Sequence, residues 1–260
     1  MKVTMMGAGA MGGMVGARLA AAGNDVWLVD TWREHVAKMQ KDGLTLDTRE
    51  GTQVLKVRAT TNVHDVYDQD GYMELVIIFV NTNFTDRITR DAKVIIGPDT
   101  YVLTVQNGVG NADIIAKYVP KNRIILGTTL AAGVVEGPAH VRDSGTSGFT
   151  QIMPMEGPVT PAIEKICETL SQAGLETQAT PEAEKAIWKK LCINVCTCSI
   201  GMITASPADR SASRRTAGRS QASSSVRSVK LLMRKAWIWI MRLREIISSR
   251  SILRARIILP

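Results

Sequence analysis

Apolar positions in the first two-thirds of the chain fall into short runs separated by glycine-rich or polar turns. "KVTMM" (2–6) reads as a short buried strand, and "GAGAMG" (7–12) follows it at once. From Met11 to Ala22 the residues are small or apolar, which suits a helix packed closely on a sheet. Asn24 to Asp30 reads as a second strand and Arg33 to Lys41 as a helix. "GLTLDTREGTQVLKVRAT" (43–60) predicts a hairpin. "ELVIIFVNT" (74–82) is apolar without alternation, the pattern of an inner parallel strand buried on both faces. "TYVLTVQNGVGN" (100–111) and "NRIILGTTLAAG" (122–133) predict two more strands, and "GTSGFTQI" (145–152) a last edge strand. Helical spacing then takes over. Residues 160–177 form an amphipathic helix stopped by Gly174, and a second helix starts with Thr180 as N-cap and Pro181 at its first position. Strands alternating with helices predict an α/β fold: a doubly wound parallel sheet of the Rossmann type over 1–158, then the start of an α-helical domain over 159–205.

Charge changes the picture only at the end of the chain. The formal net charge of +8 resembles a nucleic-acid signal. Yet residues 206–260 hold 13 Lys and Arg against 2 Asp and Glu, and the first 205 hold 19 against 22. The folded part is mildly acidic, so neither nucleic acid nor a membrane is expected as its partner. Six glycines among the first 23 residues break up any leader-like apolar core, and no run reaches the ~20 apolar residues of a membrane span. Cys167, Cys192, Cys196 and Cys198 form no dense framework, which predicts a reducing cytoplasm. The last three read C-x3-C-x-C, but on a helix Cys198 is rotated away from the other two; inert thiols and no metal are expected.

Gly7, Gly9 and Gly12 form G-x-G-x-x-G in a strand–turn–helix–strand context, which lifts the motif above coincidence. Gly7 permits the turn, Gly9 admits a pyrophosphate to the backbone, and Gly12 allows close helix–strand contact. With Ala8, Ala10 and Met11 they form the expected cofactor loop, whose helix N-terminus offers free N–H groups. Asp30 ends the second strand, 18 residues after Gly12, where a carboxylate accepts from an adenine-ribose diol and repels a 2′-phosphate. That favours NAD over NADP, with Arg33 as the counter-signal. Asn83 and Asn107 stand just beyond two strand ends, where open α/β sheets hold ligands; turn-forming asparagine is the alternative reading. Lys190 and Asn194 lie one helical turn apart, so an ammonium and an amide share a face. Such a pair can polarise a ketone oxygen, although on spacing alone a solvated lysine is the simpler reading.

Four stretches resemble the ketopantoate reductase (2-dehydropantoate 2-reductase) family: "GAGAMG" (7–12), "VQNGVGN" (105–111), "GTTLAAGVVEGPAHVRDSG" (127–145) and "IWKKLCIN" (187–194). The resemblance covers the first 205 residues. It implies a Rossmann domain followed by a helical domain, and NAD(P)H-dependent reduction of a 2-keto acid, 2-dehydropantoate to pantoate in pantothenate synthesis. It also implies a catalytic role for Lys190 within W-x-K-L-x-x-N, substrate contacts for Asn107 and Asn194, a place for Asn107 near the nicotinamide, and a possible homodimer. Three positions depart from the family pattern. Asn83 stands where a lysine is common, Cys198 where a second substrate asparagine is common, and Asp30 where the strand usually leads to a phosphate-binding arginine. These departures resemble NAD-linked D-2-hydroxyacid dehydrogenases of the D-mandelate type, the alternative reading.

The tail at 206–260 is rich in arginine and serine and carries no family motif. One expectation is a basic arm. The other is a displaced reading frame from near Ser206: with A ending the alanine codon, a second frame through "AWIWIM" (236–241) spells Met-Asp-Leu/Met-Asp, a polar helix start. The family's catalytic glutamate then has no counterpart, and a dinucleotide-binding remnant with impaired catalysis is the third reading. Peptide mass spectrometry of the tail with resequencing of the gene separates these; an unbroken, confirmed frame eliminates the displaced one.

Overall fold

The computed structural model describes residues 1–144 and 149–204, with the backbone alone for 196–204. The expectations for the tail, and for the part of the last strand at 145–148, lie outside the described residues. Strands are β1 (Lys2–Met6), β2 (Asp25–Val29), β3 (Leu44–Thr48), β4 (Gly51–Leu55), β5 (Arg58–Thr60), β6 (Leu75–Ile78), β7 (Tyr101–Thr104), β8 (Ile124–Thr129), β9 (Gly133–Gly137), β10 (His140–Asp143), β11 (Thr150–Pro154) and β12 (Thr177–Ala179). Helices are α1 (Ala10–Ala21), α2 (Arg33–Asp42), α3 (Val63–Asp70), α4 (Thr85–Ala92), α5 (Asn111–Ile115), α6 (Pro161–Gln172) and α7 (Ala183–Thr204).

The main sheet has eight strands in the order β12-β11-β8-β7-β6-β1-β2-β5. Its six strands from β8 to β5 run parallel, β11 pairs antiparallel with β8, and β12 adds parallel to β11. This is the doubly wound arrangement expected from the alternation of strands and helices. Each inner strand feeds two cores. On β6, Leu75 and Ile77 join the cluster that includes Met14 and Leu19 of α1, while Val76 and Ile78 join the one that includes Val66 of α3 and Ile115 of α5. All four residues of β6 are buried, each stabilising the fold by roughly 1.5–3 kcal/mol through removal from water.

Several elements differ from the sequence expectation. The stretch 43–60 divides between the hairpin β3–β4 and β5, which leaves the hairpin and pairs with β2 in the main sheet. The hairpin belongs to a second sheet, β4-β3-β10-β9, completed by residues 133–143. β11 is covered by β12, so it is not the edge of its sheet. The last helix starts at Ala183, not Pro181, because Thr180 Oγ1 accepts from the Glu182 N–H at 3.2 Å in a turn that precedes it.

The chain divides into two units between Ile187 and Trp188. The first holds both sheets and α1–α6. Of the second, α7 from Trp188 onward is described. No helix among the described residues is long and apolar enough to cross a membrane.

Candidate functional site

The glycine turn joins β1 to α1. Gly7 has φ +97, the left-handed region, and its N–H donates to Val29 O at 2.8 Å. A Cβ on Gly12 would lie 1.8 Å from the Gly7 carbonyl oxygen, so the start of α1 rests directly on the turn. Gly9 is the N-cap of α1, and the helix has no side-chain cap. A Cβ on Gly9 would meet nothing within 4 Å. Beside an uncapped helix N-terminus, that open space fits the close backbone approach of a pyrophosphate. Gly133 closes the other side: its Cβ would lie 2.4 Å from Ala10 O, so this glycine lets the strand after β8 touch the loop. Ala8 is buried and Met11 half-buried.

Asp30 sits where β2 ends. Its Oδ2 accepts from the Ala8 N–H at 2.7 Å and its Oδ1 from the Trp32 N–H at 2.9 Å. These bonds fix the carboxylate, whose remaining lone pairs stay available at the rim of a cleft of about 310 Å³. The cleft floor is Met6, Gly7 and Val29, the carboxyl ends of β1 and β2. Its walls carry Asn62, His64, Phe84 and Arg87, none of which the sequence singled out. Asn62 and His64 follow β5, which was hidden within the hairpin reading. Arg33 is exposed and does not line the cleft; Arg87 does, and pairs with Asp91 at 3.7 Å.

Asn83 is exposed on a short 3-10 turn, Thr82–Phe84, while its neighbour Phe84 lines the cleft. Asn107 is exposed beyond β7, and its side chain makes no hydrogen bond among the described residues. Its loop is nevertheless braced. Gln106 Nε2 donates to Thr85 Oγ1 at 3.0 Å and to Val80 O, and buried Asn111 Nδ2 donates to Asn107 O at 3.3 Å. The loops after β6 and β7 are thereby tied together, with Asn107 presented to solvent.

On α7, Lys190 and Asn194 stand one turn apart, both half-buried, with Lys189 exposed and Cys192 buried. Burial pushes the Lys190 ammonium below the ordinary lysine range, because desolvation disfavours the charged form. Cys167 and Cys192 are both buried. The expectations for the Cys196 and Cys198 side chains lie outside the described residues. Among the described residues no group of three or more His, Cys, Asp or Glu could hold a metal.

With this geometry in view, similarities to known proteins become specific. A 2-dehydropantoate 2-reductase from Lactococcus lactis is 33% identical over 196 residues, covering 75% of this chain and 61% of that protein. One from Pyrococcus horikoshii is 34% identical over 205 residues, 78% of this chain and 64% of the relative. The chain thus spans less than two-thirds of the length of either. A solved ternary structure of D-mandelate dehydrogenase with NADH and anilino(oxo)acetate superposes with a TM-score of 0.69 at 32% identity, over 75% of this chain and 61% of that one. The family described as "Ketopantoate reductase PanE/ApbA" matches residues 3–157, which hold the glycine turn, Asp30 and both asparagine loops. The chain belongs to the ketopantoate reductase PanE/ApbA family.

Proposed function

We propose that the protein reduces a 2-keto acid, 2-dehydropantoate in the first instance, with a nicotinamide dinucleotide held in the cleft beside Asp30. The observation that carries this reading is the fit of the empty space at Gly9, next to the uncapped start of α1, with Asp30 fixed at the cleft rim. Gly7 to Gly12 would hold the pyrophosphate and Asp30 the adenine ribose; the nicotinamide, when bound, supplies the hydride. Lys190 Nζ donates a hydrogen bond to the substrate's C2 oxygen and yields a proton as negative charge grows there. Its lowered pKa supports the role, since a weaker hold on the proton makes a better donor near neutral pH. Asn194, one turn further on, and Asn107 are assigned to substrate contacts by family resemblance, and Cys198 stands where the family's second such asparagine is common.

Oxidation of NADH or NADPH by the purified full chain with ketopantoate, phenylglyoxylate and pyruvate tests the proposal. Turnover with ketopantoate supports it. Nucleotide binding without turnover on any of the three replaces it with the reading of a non-catalytic remnant.

A second reading, NAD-linked reduction of other 2-keto acids, is favoured by Asp30 and by the similarity to a D-mandelate dehydrogenase solved with NADH. Asp30 also bears on cofactor choice. The carboxylate repels a 2′-phosphate, so Asp30→Asn, which keeps an acceptor for Ala8, is expected to shift the NADH-to-NADPH affinity ratio toward NADPH by about tenfold. Nucleotide titrations of parent and variant measure the ratio; an unchanged ratio removes Asp30 from cofactor selection.

A further inference from the structure

His35 is fully buried although most of α2 around it is polar and exposed. Its ring spans two backbones far apart in sequence. Nε2 lies 3.0 Å from the Ala8 carbonyl oxygen in the glycine turn. Nδ1 accepts from the Ala139 N–H at 2.9 Å, in the turn between β9 and β10 of the small sheet. A carbonyl only accepts and an N–H only donates, so one assignment serves both bonds: a neutral ring with its proton on Nε2. Trp32 stacks on the ring face, with centroids 4.8 Å apart and planes 5° from parallel.

The two backbones it joins are both held on their other side. The Ala8 N–H donates to Asp30, so both polar backbone groups of the turn's second residue are taken by side chains from the segment after β2. Ala139 has φ +53 and is buried, a left-handed conformation that a non-glycine residue keeps only where its surroundings impose it. Its N–H goes to His35, and its carbonyl accepts from the Thr45 N–H at 2.9 Å.

We infer that His35 is a positioning residue for dinucleotide binding: it holds the glycine turn in its binding shape and anchors that turn to the β9–β10 corner of the second sheet. The small sheet thereby acquires a role in the cofactor site that it does not contact through its own side chains in the cleft. The inference rests on the proposed use of the glycine turn, but the shape of the turn can be measured without nucleotide.

Two amide variants separate the two bonds. In His35→Asn the side-chain oxygen falls near the place of Nδ1, keeping the Ala139 bond and losing Ala8. In His35→Gln the amide nitrogen reaches toward the place of Nε2, keeping Ala8 and losing Ala139. Each leaves one buried backbone group unpaired, so similar falls in melting midpoint are expected. Amide hydrogen exchange over residues 7–13 of the nucleotide-free protein, and its affinity for NADH, are the readouts. Both should worsen by about tenfold in the Asn variant and stay within about twofold of the parent in the Gln variant. Equal exchange at the glycine turn in the two variants overturns the inference. Should the Asn variant not fold, His35→Phe, which keeps the stack on Trp32 and loses both bonds, is compared with Gln in its place. If the parent binds no NADH, the proposed function falls, and the exchange contrast by itself decides whether His35 sets the turn.

Discussion

Lys190→Ala is expected to lower kcat for 2-keto acid reduction by about 10²–10⁴-fold, the range for removing a positioned proton donor, with NADH affinity unchanged. The lysine is half-buried on α7, and desolvation holds its pKa below the ordinary range. The sign of the pH dependence follows. The donor must be protonated, so kcat falls as pH rises through the lowered pKa, and that limb begins below the ~10.4 of a free lysine. Lys190→Arg keeps the positive charge but does not release its proton in this range, so its profile should lose the limb while its rate stays low. Pre-steady-state and steady-state rates across pH, with parallel nucleotide titrations, measure all three. An alanine variant as fast as the parent removes Lys190 from the mechanism.

The second large effect concerns two glycines of one motif that do different things. In Gly12→Ala the new Cβ would lie 1.8 Å from the Gly7 carbonyl oxygen and 2.9 Å from the Gly7 carbonyl carbon. Both are backbone atoms, so α1 must move off β1, at about 3 kcal/mol or more. For a domain of this size that is a fall of roughly 6–12 °C in melting midpoint. In Gly9→Ala the Cβ points into space where nothing lies within 4 Å. Stability should then change by about 1 kcal/mol or less, the cost of a poorer N-cap. The methyl instead occupies the path proposed for the pyrophosphate, and NADH affinity should fall by at least about tenfold. Thermal melts set against nucleotide titrations separate the cases. A Gly9→Ala variant that binds NADH as the parent does would show that the dinucleotide does not approach the turn from that side.

Much of this was legible in the sequence. The apolar run at β6 has no alternation because both faces of that strand are covered, and that alone identifies an inner parallel strand. The glycine spacing identifies the turn because only glycine tolerates the φ of residue 7 and the contact at residue 12. Asp30 was placed at the cleft by its position at a strand end. The second sheet was not legible. β3 pairs with β10, and no local pattern encodes a partner some ninety residues away. β5 was absorbed into the hairpin for the same reason, and with it went the cleft residues Asn62 and His64 that follow it.

Local order along the chain therefore determined the class of fold, the glycine turn and the acid bonded to it. These depend on backbone conformation and on residues close in sequence, where periodicity and glycine placement leave a readable trace. Tertiary structure alone decided what braces that turn. His35 reads as an ordinary polar residue of α2 until the fold brings Ala8 to one ring nitrogen and Ala139 to the other. A hydrogen bond between groups 104 residues apart leaves no periodic mark, because it is made by chain geometry that forms only when both sheets have closed around the same helix.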